Sequence, residues 1–140
     1  MKKIDYFILF AALLFLFIAG CTSSQYSKKA LEDLSTCLAS KEVVEYGAFW
    51  CPNCAKQEKM FGKAFSIIKE KIYVECDPRC DVPDIENLPV ACRDKLGNPE
   101  LCIEKKIAGY PTWDFTNGKR FVGVQDLKSL ADEAGCELNE

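Results

Sequence analysis

The segment Trp50-Cys51-Pro52-Asn53-Cys54 follows directly on the mostly apolar run Val43-Val44-Glu45-Tyr46-Gly47-Ala48-Phe49. A run of that length and composition, rich in β-branched and aromatic residues, reads as a buried strand. Two cysteines spaced C-x-x-C are therefore delivered from a strand to what reads as the first turn of a helix. Pro52 fits that turn, because its missing N–H costs nothing there. The spacing alone serves redox pairs, structural bridges and zinc sites equally well. The context favours redox chemistry: at a helix N-terminus, unpaired N–H groups and the helix dipole stabilise a thiolate on the first sulfur.

The rest of the chain alternates in the same way. Lys28 to Ser40 carries Ala30, Leu31, Leu34, Cys37 and Leu38 at helical spacing. Asn53 to about Lys69 reads as a helix with Met60, Phe61, Phe65 and Ile68 on its core face. Gly62 within it is either a kink or a tolerated glycine. Lys71 to Cys76 reads as a second strand. Asp77 to Asn98 holds Pro78, Pro83, Pro89 and two cysteines, and reads as a long irregular loop. Glu100 to Ile107 reads as a short helix. Thr112–Thr116 and Lys119–Val122 read as strands joined across Asn117-Gly118, a strong hairpin signal. Asp126 to Ala134 closes as a helix ending at Gly135. Strands separated by helices, with one hairpin at the end, predict an α/β fold: a mixed sheet of about four strands flanked by helices.

The N-terminus bears on compartment. Lys2 and Lys3 precede Tyr6 to Ala19, which is uncharged and almost wholly apolar. That stretch is shorter than the roughly 20 residues of a membrane span and fits a signal-peptide core. Ile18-Ala19-Gly20-Cys21 looks like a lipobox, the site at which a prokaryotic lipoprotein signal is cut before a lipidated cysteine. An uncleaved anchor with an incidental cysteine is the alternative. Either reading places the domain outside the cytoplasm and on the cell membrane of a prokaryote. The expected organisation is a signal over 1–20, a tether over 21–29 lipidated at Cys21, and one domain over 30–140. A net charge of −3 argues against nucleic acid as a partner.

Setting Cys21 aside, eight cysteines remain: Cys37, Cys51, Cys54, Cys76, Cys80, Cys92, Cys102 and Cys136. An even number in a small exported domain reads as a disulfide framework, and eight cysteines allow 105 pairings. A zinc module using Cys51, Cys54, Cys76 and Cys80 is the competing class. An oxidising compartment and the absence of histidine weigh against zinc and against copper(II). No pattern in the chain indicates an organic cofactor, and a monomer is the default for so stapled a domain.

Several pieces together resemble the thioredoxin superfamily: Tyr46-Gly47-Ala48-Phe49-Trp50-Cys51-Pro52-x-Cys54, Tyr73-Val74-Glu75-Cys76, Leu101-Cys102, Gly109-Tyr110-Pro111-Thr112-Trp113 and Gly135-Cys136. The branch that matches best comprises thioredoxin-like domains fused to, or working with, vitamin K epoxide reductase-type membrane proteins. The resemblance runs from about Cys37 to Cys136. It implies a thioredoxin-like fold, Cys51–Cys54 as the redox pair, and bridges Cys76–Cys102 and Cys37–Cys136, leaving Cys80–Cys92. It implies that Cys51 is the exposed, attacking nucleophile and that Cys54 resolves. It also implies a cis Pro111 beside the pair, with the Tyr110 backbone pairing with a substrate strand.

Trp50 is expected to flank Cys51 and contact substrate, and Trp113 to lie in the core. Asn53 stands where this branch often carries histidine, so a cationic stabiliser of the Cys51 thiolate is missing. Glu45 lies six positions before Cys51, where many thioredoxins bury an acid that moves protons for the resolving thiol. It is either that general base or a solvated edge charge.

The resulting expectation is a membrane-tethered thiol–disulfide oxidoreductase. It would exchange disulfides with exported cysteine-containing proteins and, in trans, with a quinone-linked membrane oxidoreductase. A non-catalytic, disulfide-stapled binding lipoprotein is the alternative.

Overall fold

The computed structural model describes residues 25–82 and 85–139. The signal segment, lipobox and Cys21 lie outside the described residues.

Ser27 starts helix α1 (Lys28–Ser40) by accepting the Ala30 N–H on its hydroxyl, which satisfies one of the free donors of the first turn. The chain turns through Glu42, at positive φ, into β1 (Val44–Gly47). Helix α2 (Pro52–Phe61) follows at once. Gly62 ends it with φ +56° and ψ −134°, a backbone shape that a side chain resists. A 3₁₀ turn at Gly62–Ala64 then redirects the chain into α3 (Phe65–Lys71). The helix expected from Asn53 to Lys69 is thus two helices, and Gly62 is the kink. The bend lets Phe61, Phe65 and Ile68 all reach one core.

After α3 come β2 (Tyr73–Glu75) and a long irregular segment containing 3₁₀ turns at Pro78–Cys80, Ile85–Asn87 and Val90–Cys92. Helix α4 (Pro99–Glu104) is capped by the Asn98 side chain, which accepts from the Leu101 N–H. β3 (Thr112–Asp114) and β4 (Arg120–Val122) form the hairpin, with Gly118 at φ +84° in its turn. Helix α5 (Leu127–Ala134) is capped by Asp126 and ends on left-handed Gly135.

The sheet order is β2-β1-β3-β4. β1 is parallel to β2 and antiparallel to β3, and β3 is antiparallel to β4. This is the thioredoxin-like arrangement expected from the sequence. One face of the sheet carries the main core, in which Leu34 and Leu38 of α1, Phe61 of α2, Ile68 of α3 and Leu130 of α5 surround Trp113. On the other, Tyr46 packs with Cys76 and Cys102 beneath Leu101 and Ile107. Central β1 is therefore covered on both sides, and its side chains alternate between two buried faces rather than between core and water.

Among the described residues, three disulfides tie the fold. Cys37–Cys136 joins α1 to the chain end across a sequence separation of 99. Cys76–Cys102 joins the end of β2 to α4, and Cys80–Cys92 closes the irregular segment. With Cys76 and Cys80 in separate bridges, the four-thiolate zinc set is not assembled.

Cutting the longest tie has a calculable consequence. Removing the Cys37–Cys136 bond by paired serine substitution should cost about 4–5 kcal/mol, because it releases a loop of about 100 residues in the unfolded chain. Urea unfolding would measure it, and an unchanged midpoint would show that the bond constrains nothing.

Candidate functional site: a dithiol over a buried carboxyl

Cys51 is the N-cap of α2, and its Sγ accepts the Cys54 N–H at 3.4 Å. The strand that ends at Gly47 fixes this position: the Cys51 N–H donates to the Ala48 carbonyl, and the Ala55 N–H donates to the Cys51 carbonyl as the helix begins. Among the described residues, Cys51 and Cys54 are the cysteines outside disulfides.

The Tyr110–Pro111 peptide bond is cis. The Cys51 thiol donates to the Tyr110 carbonyl at 3.7 Å, while Pro111 itself is buried. Tyr110 packs against Ala48, Cys51 and Cys54. The expected contrast between an exposed Cys51 and an inner Cys54 is absent: their residue exposures are 6% and 8%. With the Tyr110 segment packed against it, the first cysteine is at least as well covered as the second. Trp50, Pro52 and Asn53 are the exposed residues of the motif, and Trp50, at 55%, stands edge-on to the Tyr110 ring with centroids 6.2 Å apart.

Glu45 lies on the core face and is wholly buried, at 0% exposure. Its cross-strand neighbours are Tyr73 and Trp113, and partners across a sheet project to the same side. Neither carboxyl oxygen has a hydrogen-bond partner, and the Trp113 indole N–H beside it is likewise unpartnered. Burial, reinforced by the negative charge of Glu58, raises the Glu45 pKa well above the ordinary carboxylate range. Of the two readings of Glu45, the structure supports the inward one; it is not a solvated edge charge. Burial also pushes the Cys54 thiol far up, and neighbouring Cys51 and Glu45 add to that while the Ala48 amide opposes it. Cys54 thus needs a base to ionise, and Glu45 is an acid displaced toward neutrality close to it.

Residues not singled out in the sequence complete the site. Glu75, 3% exposed, accepts the Tyr73 hydroxyl at 3.0 Å and the Asp77 N–H at 2.9 Å. Burial raises its pKa, and the Phe49 amide is among the donors that hold it back. Tyr73 reaches Glu75 by lying flat against Gly47, where a Cβ would come within 2.7 Å of the ring. Asp77 accepts the Trp50 indole N–H at 2.5 Å and is gripped by Arg79 through Nε and Nη2, both at 2.9 Å. Those Arg79 bonds lower the Asp77 pKa to about 2. On α2, the buried Gln57 accepts the Gln125 N–H and donates to the Gln125 carbonyl, which locks the helix to the segment before α5. The available sequence signal was an acid in the strand Tyr73-Val74-Glu75, between otherwise apolar neighbours, as Glu45 is in β1.

Over 95 residues the chain is 35% identical to the thiol-disulfide oxidoreductase LTO1 of Arabidopsis thaliana. The match covers 68% of this chain and 22% of that protein, so the chain spans about a fifth of the length of this curated relative. No protein-family model matches the chain. Fold and similarity together support a place among thioredoxin-like redox proteins.

The raised Glu45 pKa sets a pH dependence. Folded Glu45 keeps its proton to higher pH than unfolded Glu45, so the folded state binds more protons through that window. Stability contributed at this position therefore falls as pH rises from the ordinary carboxylate range toward the folded value. Glu45→Leu should remove that slope and be more stable at neutral pH, by about 1–3 kcal/mol, the scale for a buried unpaired polar group. Parallel stability–pH curves for the two proteins would refute this.

Proposed function

We propose that this chain is an extracytoplasmic, membrane-tethered thiol–disulfide oxidoreductase with Cys51 and Cys54 as its redox pair. The observation that carries the reading is a dithiol at a helix N-terminus, beside a cis proline and over a buried, unpartnered carboxyl, in a domain whose other described cysteines are bridged. A structural protein gains nothing from a buried, unpartnered carboxyl beneath an adjacent cysteine pair, because such a carboxyl destabilises the fold.

In this reading the Cys51 thiolate attacks a substrate disulfide, one substrate sulfur leaves with the electron pair, and a mixed disulfide forms. Glu45 then accepts the Cys54 proton. The Cys54 thiolate attacks the Cys51 sulfur, the substrate thiolate leaves and takes up a proton, and the domain holds a Cys51–Cys54 disulfide. The reverse sequence oxidises a substrate dithiol. Trp50 and the Tyr110 backbone border the place where a substrate segment would lie. Exported cysteine-containing proteins are the substrates, and a vitamin K epoxide reductase-type membrane protein, acting in trans, is the partner that exchanges electrons with quinone. The lipobox at Cys21 supplies the tether, and the similarity to a thiol-disulfide oxidoreductase supports the reaction class.

The soluble 22–140 form should titrate reversibly in thiol–disulfide buffers at Cys51 and Cys54 while the three bridges persist. A potential near about −120 mV marks an oxidant and one near about −270 mV a reductant. Cys54→Ser should accumulate mixed disulfides at Cys51. A pair that neither titrates nor traps a partner would leave a non-catalytic lipoprotein.

A further inference from the structure

Beside Cys54 lies a cavity of about 140 Å³ whose lining does not include Cys51 or Tyr110. Its walls come from four places: Ala48 and Phe49 after β1, α2, the α3–β2 unit, and the stapled segment that supplies Ala91 and Lys95. Its inner end holds three buried ionisable side chains, Cys54, Tyr73 and Glu75. Its mouth is ringed by Glu58, Lys69 and Lys95 and is kept open by two small exposed residues, Ala55 of α2 and Ala91 of the stapled segment. A space this large with several polar partners suits a group of water molecules, each of which needs only a fraction of that volume.

Glu45 does not line this cavity, and both of its oxygens are sealed from solvent. A proton that Glu45 takes from Cys54 thus has no water path of its own. Cys54 and Tyr73 border both the sealed acid's surroundings and the cavity.

We propose that this cavity is the proton port of the resolving thiol, with Glu75 as the inner carboxyl that exchanges protons between Cys54 and solvent. The inference rests on the oxidoreductase reading. During resolution the Cys54 S–H bond breaks, the Cys54–Cys51 bond forms, the Cys51–substrate bond breaks, and the substrate sulfur leaves with the electron pair. The Cys54 proton, taken first by Glu45, reaches cavity water through Glu75, and the leaving thiolate is protonated from bulk. Glu75 suits the role because the Tyr73 hydroxyl and the Asp77 and Phe49 amides donate to its carboxyl and hold it in place at the cavity wall. The stapled segment is then the outer wall of the site as well as a loop closure.

Ala91→Phe tests the port by closing its mouth, and Glu75→Gln tests the carrier by keeping the side chain's shape without its proton. Stopped-flow single turnovers with a disulfide peptide separate attack by Cys51 from resolution by Cys54. Val90→Phe is the control, since Val90 is exposed, adjacent, and outside the cavity lining. Ala91→Phe and Glu75→Gln should each slow resolution about 10-fold or more, within the range of a lost general acid–base group. Attack by Cys51 and the melting temperature should stay close to wild type, and Val90→Phe should match wild type in both steps. Resolution at the wild-type rate in Ala91→Phe would overturn the port, and the same result in Glu75→Gln would overturn the carrier. Wild-type protein that forms no mixed disulfide at all would instead overturn the oxidoreductase reading itself.

Discussion

A carboxyl without a hydrogen-bond partner sits in the middle strand of this sheet, and much of the architecture follows from the need to keep it there. Glu45 is held on the core face because its neighbours on β1, Val44 and Tyr46, point to the other face, which α4 covers. Moving Glu45 outward would turn Tyr46 inward and shift the whole register, since one step along a strand reverses every side chain. Pairing with β2 on one side and β3 on the other fixes that register. The cost of the buried acid is therefore spread over the sheet, and no local rearrangement can relieve it.

A small core carrying such a group needs support from outside the hydrophobic effect, and the disulfides supply it in three different places. Cys37–Cys136 ties the first helix to the last. Cys76–Cys102 lies under the minor face and holds α4 against β2. Cys80–Cys92 packs with Leu88 and against Phe49, the residue just before Trp50. Each bond acts mainly by restricting the unfolded chain, which leaves the folded site free to keep one cysteine pair as thiols.

The sequence made the strand–dithiol–helix junction, the hairpin at Asn117-Gly118 and the final helix legible, because each depends on local chemistry: a proline in the first turn, a glycine at positive φ, an Asp cap. It left open what depends on packing between distant elements. The alternation of β1 could not assign Glu45 to a face, because both faces are buried and the residues on either side of it are apolar. Gly62 could be read as a kink or as a tolerated residue, since only the position of Phe61 and Phe65 around Trp113 demands the bend. The covering of Cys51 comes from the Tyr110 segment, 59 residues away. Glu75 and Asp77 escaped notice because Phe49 and Trp50, which tie them to the dithiol, meet them only after β2 has paired with β1.

Those partners explain why the irregular segment sits beside the dithiol at all. Asp77 holds the Trp50 indole, Arg79 holds Asp77, and the Arg79 guanidinium stacks 4.9 Å from the centre of the Phe49 ring. Phe49 in turn rests on the Cys80–Cys92 bridge and lines the cavity beside Cys54. The two residues that lead into the first cysteine are thus fastened by the loop, Trp50 through a hydrogen bond to a carboxylate that Arg79 keeps ionised and Phe49 through the Arg79 guanidinium and the Cys80–Cys92 bridge. A loop of this length without regular structure would ordinarily move independently of the sheet. Here a bridge at its base and an ion pair at its start make it part of the frame that orients Trp50 over the site.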